Sequence, residues 1–144
     1  MGTISEHFSF SEFEASDKAK ELGIDNRIKK EKVRKNIVAL VENVLQPLRD
    51  AWGGPMWIGP HHSGYRCPEL NEAVGGVPNS QHPEGEAADC GVTDPFALAK
   101  LAVKLRLPFD QMILYPSFVH FSHMREGDNR GQILYSSKYN GPKL

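Results

Sequence analysis

The segment SQHPEGEAADC, residues 80–90, sets an imidazole at His82 and a carboxylate at Asp89 at the two ends of a passage rich in glycine, alanine and proline. Gly85 and the small residues beside it allow a tight turn, so two side chains apart in sequence can converge in space. Imidazole nitrogen and carboxylate oxygen both ligate divalent zinc, and a catalytic centre uses three protein ligands with a fourth position for water. This spacing differs from HExxH, where one helical turn brings two histidines together. A third ligand would come from a neighbouring strand, and FVHFSHM, residues 118–124, offers His120 and His123. Strand alternation puts His120 and Ser122 on one face and His123 on the other, so at most one of these histidines points at an ion. The same residues also fit a plainer reading, with His82 in a loop, Asp89 in a turn and His120 in the core.

The elements that must hold these groups follow from pattern. Ser11 can cap a short helix starting at Glu12, and Gly23 can end it. From Lys32 onward, Val33, Ile37, Leu40, Val41, Val44, Leu45, Leu48 and Trp52 recur at helical spacing. Pro47 lies inside that run and should kink it or remove one hydrogen bond, and Gly53, Gly54 and Pro55 end it. Residues 56–58 read as a short strand, 68–74 as a short helix, 75–79 as a turn and 87–92 as a buried strand. Asp94 and Pro95 start a helix whose core face is Phe96, Leu98, Leu101, Ala102 and Leu105. Residues 111–115, 118–122 and 132–135 read as strands, the last two joined by the turn-rich MREGDNRG. Helices first and strands later describe an α+β chain, a single domain over residues 1–144, with N-terminal helices packed on a small, mostly antiparallel sheet.

Composition excludes several functions. The 144 residues carry a formal net charge of −1 with no basic cluster, so neither nucleic acid nor an acidic membrane surface is an expected partner. No apolar run approaches the roughly 20 residues of a membrane span. MGTISEHFSF lacks the basic start and apolar stretch of a signal peptide. Gly2 follows Met1 without the rest of a myristoylation context. Cys67 and Cys90 lack the CxxC spacing of a zinc site. They read as buried reduced thiols, which would pair only in an oxidising compartment.

SQHPEGEAAD matches the SxHxxGxAxD motif of the zinc D-Ala-D-Ala carboxypeptidase-like peptidases, the M15 family. SGYRCPELNEAVGGVPNSQH resembles that family's approach to the motif, and LPFDQMILYPSFVHFS its closing strand pair. FSFSEFEAS and DNRGQILY also fit, so the resemblance covers nearly the whole chain. It implies the D-Ala-D-Ala carboxypeptidase/hedgehog-like fold, Zn2+ as cofactor, and His82, Asp89 and His120 as its ligands. An assignment with His123 in place of His120 fits the PheValHisPheSer strand less well. Arg66 matches the arginine that reads the substrate's carboxylate or backbone, and Ser80 the motif serine, which could bind substrate or hold the loop. Tyr65 and Phe118 read as packing. The implied activity is hydrolysis of peptidoglycan stem-peptide bonds near D-amino acids by a zinc-activated water, as a D,D-carboxypeptidase or endopeptidase.

The chain departs from the pattern where relatives place a general base. Ser117 and Phe118 stand before His120, and Ser122 after it. His123 and then Asp110 are the candidates for that role, ahead of Glu86, His61 and His62. The departure supports an alternative, an inactive module of the same fold that binds cell-wall peptide or serves in a phage particle. A signalling domain of the hedgehog-like fold is a third class, which no residue favours. The expected setting is a monomer made without a signal peptide, cytoplasmic or phage-associated, acting on the cell wall in phage or prophage lysis.

Overall fold

The computed structural model describes residues 3–144, so Gly2 and any acylation there lie outside the described residues. A short antiparallel pair, β1 (Thr3–Ser5) and β2 (Phe8–Ser9), leads into two helices, α1 (Phe10–Glu14) and α2 (Asp17–Leu22). The single helix expected between Glu12 and Gly23 is split because two other serines do the capping. Ser9 Oγ accepts from Glu12 N at 3.3 Å and Ser16 Oγ from Ala19 N at 3.1 Å, while Ser11 lies inside the first helix. Both capping serines have extended backbones, which turn the hydroxyl back onto an otherwise unpaired N–H. Gly23 does close α2, in the left-handed conformation at φ 68.

The long apolar run folds as α3 (Glu31–Leu40), a π-helical segment (Val41–Leu45) and α4 (Gln46–Trp52). The wider turn is the structure's answer to Pro47. Gln46 N–H reaches back to Val41 O, and the widened turn makes room for the ring of Pro47, which has no N–H to donate and so leaves the continuous helix one bond short there. Val33, Ile37, Leu40, Val41, Val44, Leu45 and Leu48 are all buried, so this rod is the main wall of the core. Each such side chain contributes about 1.5–3 kcal/mol by leaving water.

Helix α5 (Pro68–Ala73) starts at Cys67, whose sulfur accepts from Leu70 N at 3.4 Å. Strands β3 (Ala87–Gly91), β4 (Gln111–Leu114), β5 (Phe118–Ser122) and β6 (Gln132–Tyr135) form a sheet in the order β3-β5-β4-β6. β3–β5 and β5–β4 are antiparallel, but β6 runs parallel to β4 rather than beside β5, which precedes it in sequence. The link after β5 therefore crosses the sheet end. Gly131 N–H to Phe109 O at 3.0 Å and Gln132 N–H to Asp110 O at 2.9 Å fix its arrival. Residues 56–58 make one bridge only, Trp57 to Gly91, because prolines at 55 and 60 leave few donors on either side.

Helix α6 (Pro95–Lys104) is capped by Asp94 Oδ1 on Ala97 N at 3.1 Å and buries Leu98, Ala99 and Ala102 against the sheet. Leu105, expected on that face, lies past the last turn and is 39% exposed. Cys67 and Cys90 are both buried free thiols. The architecture is a single small α+β domain in which helices, α6 among them, pack with a mostly antiparallel four-stranded sheet. No helix among the described residues is long and apolar enough to cross a membrane.

Candidate metal centre

Strand pairing sets Asp89 directly opposite His120. Opposed residues share one sheet face at close range, and here His120 Nδ1 lies 2.9 Å from Asp89 Oδ1. His82 arrives from the loop before β3. Its Nδ1 is 2.7 Å from the Gly64 carbonyl oxygen. A carbonyl only accepts, so Nδ1 carries the proton and Nε2 presents its lone pair, 3.5 Å from Asp89 Oδ1.

The backbone that brings His82 there is tightly specified. Gly85 has φ 74, and a Cβ on it would stand 2.6 Å from Val33 O, so the turn lies flat on α3. Asn36 Nδ2 donates to Glu84 O at 2.8 Å and fastens the turn to the same helix. Gly64 is equally confined, since a Cβ there would meet Phe13 Cα at 2.9 Å. Close packing thus places both the histidine and the carbonyl that orients it.

The donor atoms of His82, Asp89 and His120 lie within 4.8 Å of one another. Their side chains are 3%, 14% and 12% exposed, so the cluster is reached from one side only. Two tetrahedral donors about 2.1 Å from zinc stand about 3.4 Å apart. The 3.5 Å gap between His82 Nε2 and Asp89 Oδ1 fits that spacing, and the 2.9 Å contact of His120 is a hydrogen bond that an ion would replace. The donor set is therefore compatible with zinc in type and reach. Burial opposes the charge on Asp89, but the adjoining His82 and His120 more than reverse this and hold its carboxyl well below the usual range. Burial also pushes the His82 imidazole down, towards the neutral form that ligation needs, against the pull of Asp89.

A cavity of about 660 Å³ opens over the cluster, and Arg66, Ser80, Gln81, Tyr115, Phe118 and Arg130 contribute to its walls. That size suits a small peptide segment. Arg66 Nε is buried without a hydrogen-bond partner. Burial lowers its pKa, with Asp89 and Tyr115 acting in the opposite sense. Ser80 Oγ accepts from His82 N at 3.2 Å, which ties it to the loop that carries His82. Phe118 stacks on Tyr115 at 4.3 Å, whereas Tyr65 is buried in the core.

Neither His123 nor Asp110 lines the cavity. The strand ends at Ser122, and His123 turns so that its Nδ1 donates to Pro108 O at 2.7 Å. Asp110 is fully buried and grips Arg130 through Nε at 2.9 Å and a second guanidinium nitrogen at 2.8 Å. Gln81 Nε2 also approaches it at 3.3 Å, so this carboxylate braces the loop beside His82 and the crossing after β5. Of the other base candidates, His61 pairs with Asp17 at 2.5 Å and His62 packs on Phe118 at 5.1 Å. Glu86 lies outside the lining as well. Sequence reasoning passed over Tyr115 and Arg130. The aromatic pair around Pro116 and Ser117 was the available signal for Tyr115, while Arg130 depends on a distant partner.

A second convergence, Glu6, His7 and Asp50, lies on the exposed surface, and Gln46 Nε2 already engages His7 Nδ1 at 2.8 Å. Comparison with curated proteins finds no match. The family Peptidase M15 matches residues 6–125, which span the His82 loop, the β3–β5 pair and the helices that support them. The chain belongs to the peptidase M15 family.

Proposed function

We propose that the protein is a zinc-dependent peptidase that hydrolyses peptidoglycan stem-peptide bonds next to D-amino acids. The observation carrying this reading is the convergence of His82, Asp89 and His120 within 4.8 Å, beneath a cavity that also holds the unpartnered Arg66. When bound there, zinc would supply activation of water and polarisation of the scissile carbonyl. The chain's own groups do the positioning. The Gly64 carbonyl keeps the His82 proton on Nδ1, and Ser80 holds the loop backbone at His82 N. Arg66 offers a planar fork that can take a carboxylate or a peptide carbonyl by two parallel hydrogen bonds. A second cavity of about 240 Å³ shares Arg66 and Val74 with the first, which supports a peptide running past the guanidinium, as endopeptidase action requires.

A second reading rests on the lining itself. Among its described residues, no carboxylate or imidazole joins the three of the cluster, so a dedicated general base is missing from the walls. That favours a module which binds stem peptide without turnover. Incubation of purified peptidoglycan with the zinc-loaded protein, with and without chelator, separates the two. Chelator-sensitive release of new termini by mass spectrometry is the expected result. Measurable peptide binding with no cleavage would establish the second reading instead.

A further inference from the structure

We infer that Tyr115 is a catalytic hydrogen-bond donor, its phenol aimed at the substrate oxygen that gains negative charge as the scissile carbonyl becomes tetrahedral. This rests on the peptidase reading above. Tyr115 follows β4 directly, and its N–H donates to Phe118 O at 3.0 Å, closing the turn between β4 and β5. Its ring lies on Phe118 with centroids 4.3 Å apart and an interplanar angle of 13°. Phe118 is in turn packed against His62 at 5.1 Å, so the phenol is backed by a fixed wall. Phe118 and His120 are alternate residues of β5 and share a face. The stack therefore stands on the face of the sheet that carries the metal cluster.

The phenol lines the same cavity as the three ligands and Arg66. Burial, the charge of Asp89 and the charge of Arg66 all bear on it, and no hydrogen bond to a described residue does. It is thus a half-buried donor with no partner among the described residues, in the same cavity as the cation that would hold the substrate and the groups that would hold the ion. A phenol ionises near ~10, so it is a neutral donor at physiological pH. Ser80 Oγ is tied to His82 N, and the remaining candidate acids and bases lie outside the lining. Donors of this kind contribute by strengthening one hydrogen bond as charge develops, with no proton transferred.

Tyr115→Phe tests the assignment, because it keeps the ring and its stack and removes one oxygen. Loss of a single such donor lowers kcat by about 10²–10³-fold, with KM and zinc content unchanged. Affinity for a phosphinate analogue of D-Ala-D-Ala, measured by calorimetry on the zinc-loaded protein, should fall to a similar extent. Tight phosphinate binding by wild type and equally tight binding by the variant would overturn the donor role alone. A wild-type protein that neither cleaves stem peptide nor binds the phosphinate would overturn the peptidase reading and this inference with it.

Discussion

Gly85→Ala is the sharpest test of how the fold delivers His82. The substitution meets two separate costs. At φ 74 an L-residue sits in the left-handed region, a cost of about 1–2 kcal/mol. The new Cβ would also stand 2.6 Å from Val33 O, 2.9 Å from Val33 Cγ1 and 3.0 Å from Ile37 Cγ1. The carbonyl belongs to a helix turn and cannot rotate away, so overpacking adds about 1–3 kcal/mol. Gly23→Ala is the matched control. Its φ is 68, yet nothing lies within 4 Å of the added Cβ, so only the backbone cost applies. Urea unfolding of both variants should therefore show Gly85→Ala the less stable by about 1–3 kcal/mol. Because the same turn carries His82, zinc affinity by chelator competition should fall about 10–100-fold in Gly85→Ala and remain at the wild-type value in Gly23→Ala. Equal stabilities for the two variants, or undiminished zinc affinity in Gly85→Ala, would refute the packing explanation.

Other outcomes follow from the same geometry. His82→Ala should lose bound zinc by elemental analysis while keeping its far-ultraviolet circular dichroism, since the core rests on α3, α4 and the sheet; an unfolded variant would mean that the ion is structural. Arg66→Lys keeps the charge but not the fork, and peptide cleavage should fall by about 10²-fold at constant zinc content. Comparable cleavage by the two proteins would remove Arg66 from substrate binding. Asp110 has its pKa lowered, first by the Arg130 hydrogen bond, so its contribution to stability is present above the unfolded carboxyl value of about 3.9 and is lost as pH falls through the lower folded value. Asp110→Asn should accordingly show a lower urea midpoint than wild type at pH 7, with the gap narrowing below about pH 4; a gap independent of pH would show that the ion pair is not its source.

Legibility tracked the range of the interactions involved. Asp94 capping α6 and Gly23 ending α2 were readable because each feature and its partner lie within a few residues. The opposition of Asp89 and His120 needs a register between β3 and β5, and alternation supplies only the face. It was the match of the whole motif to a family that joined the two. Interactions across the chain were hidden. Arg130 is what turns Asp110 into a brace, and nothing local to either residue announces the other. The strand that follows β5 in sequence sits parallel beside β4, where Gly131 N–H meets Phe109 O and Gln132 N–H meets Asp110 O, a placement the turn-rich link does not announce. Ser9 and Ser11 are equivalent by type, and only the extended backbone at Ser9 decides which of them caps.

Asp89 and Cys90 are adjacent on β3, and the pleat sends them to opposite faces. The oxygen donor reaches the cavity while the sulfur is buried completely in the core. A thiolate would bind zinc more avidly than a carboxylate, but it would also expose the ligand set to oxidation. Sorting the two side chains by strand parity leaves a ligand set of nitrogen and oxygen only. Peroxide or disulfide exchange then finds no sulfur at the centre to attack. The candidate zinc site is in this sense redox-silent, and its occupancy should depend on metal supply and pH rather than on the oxidising power of the surroundings.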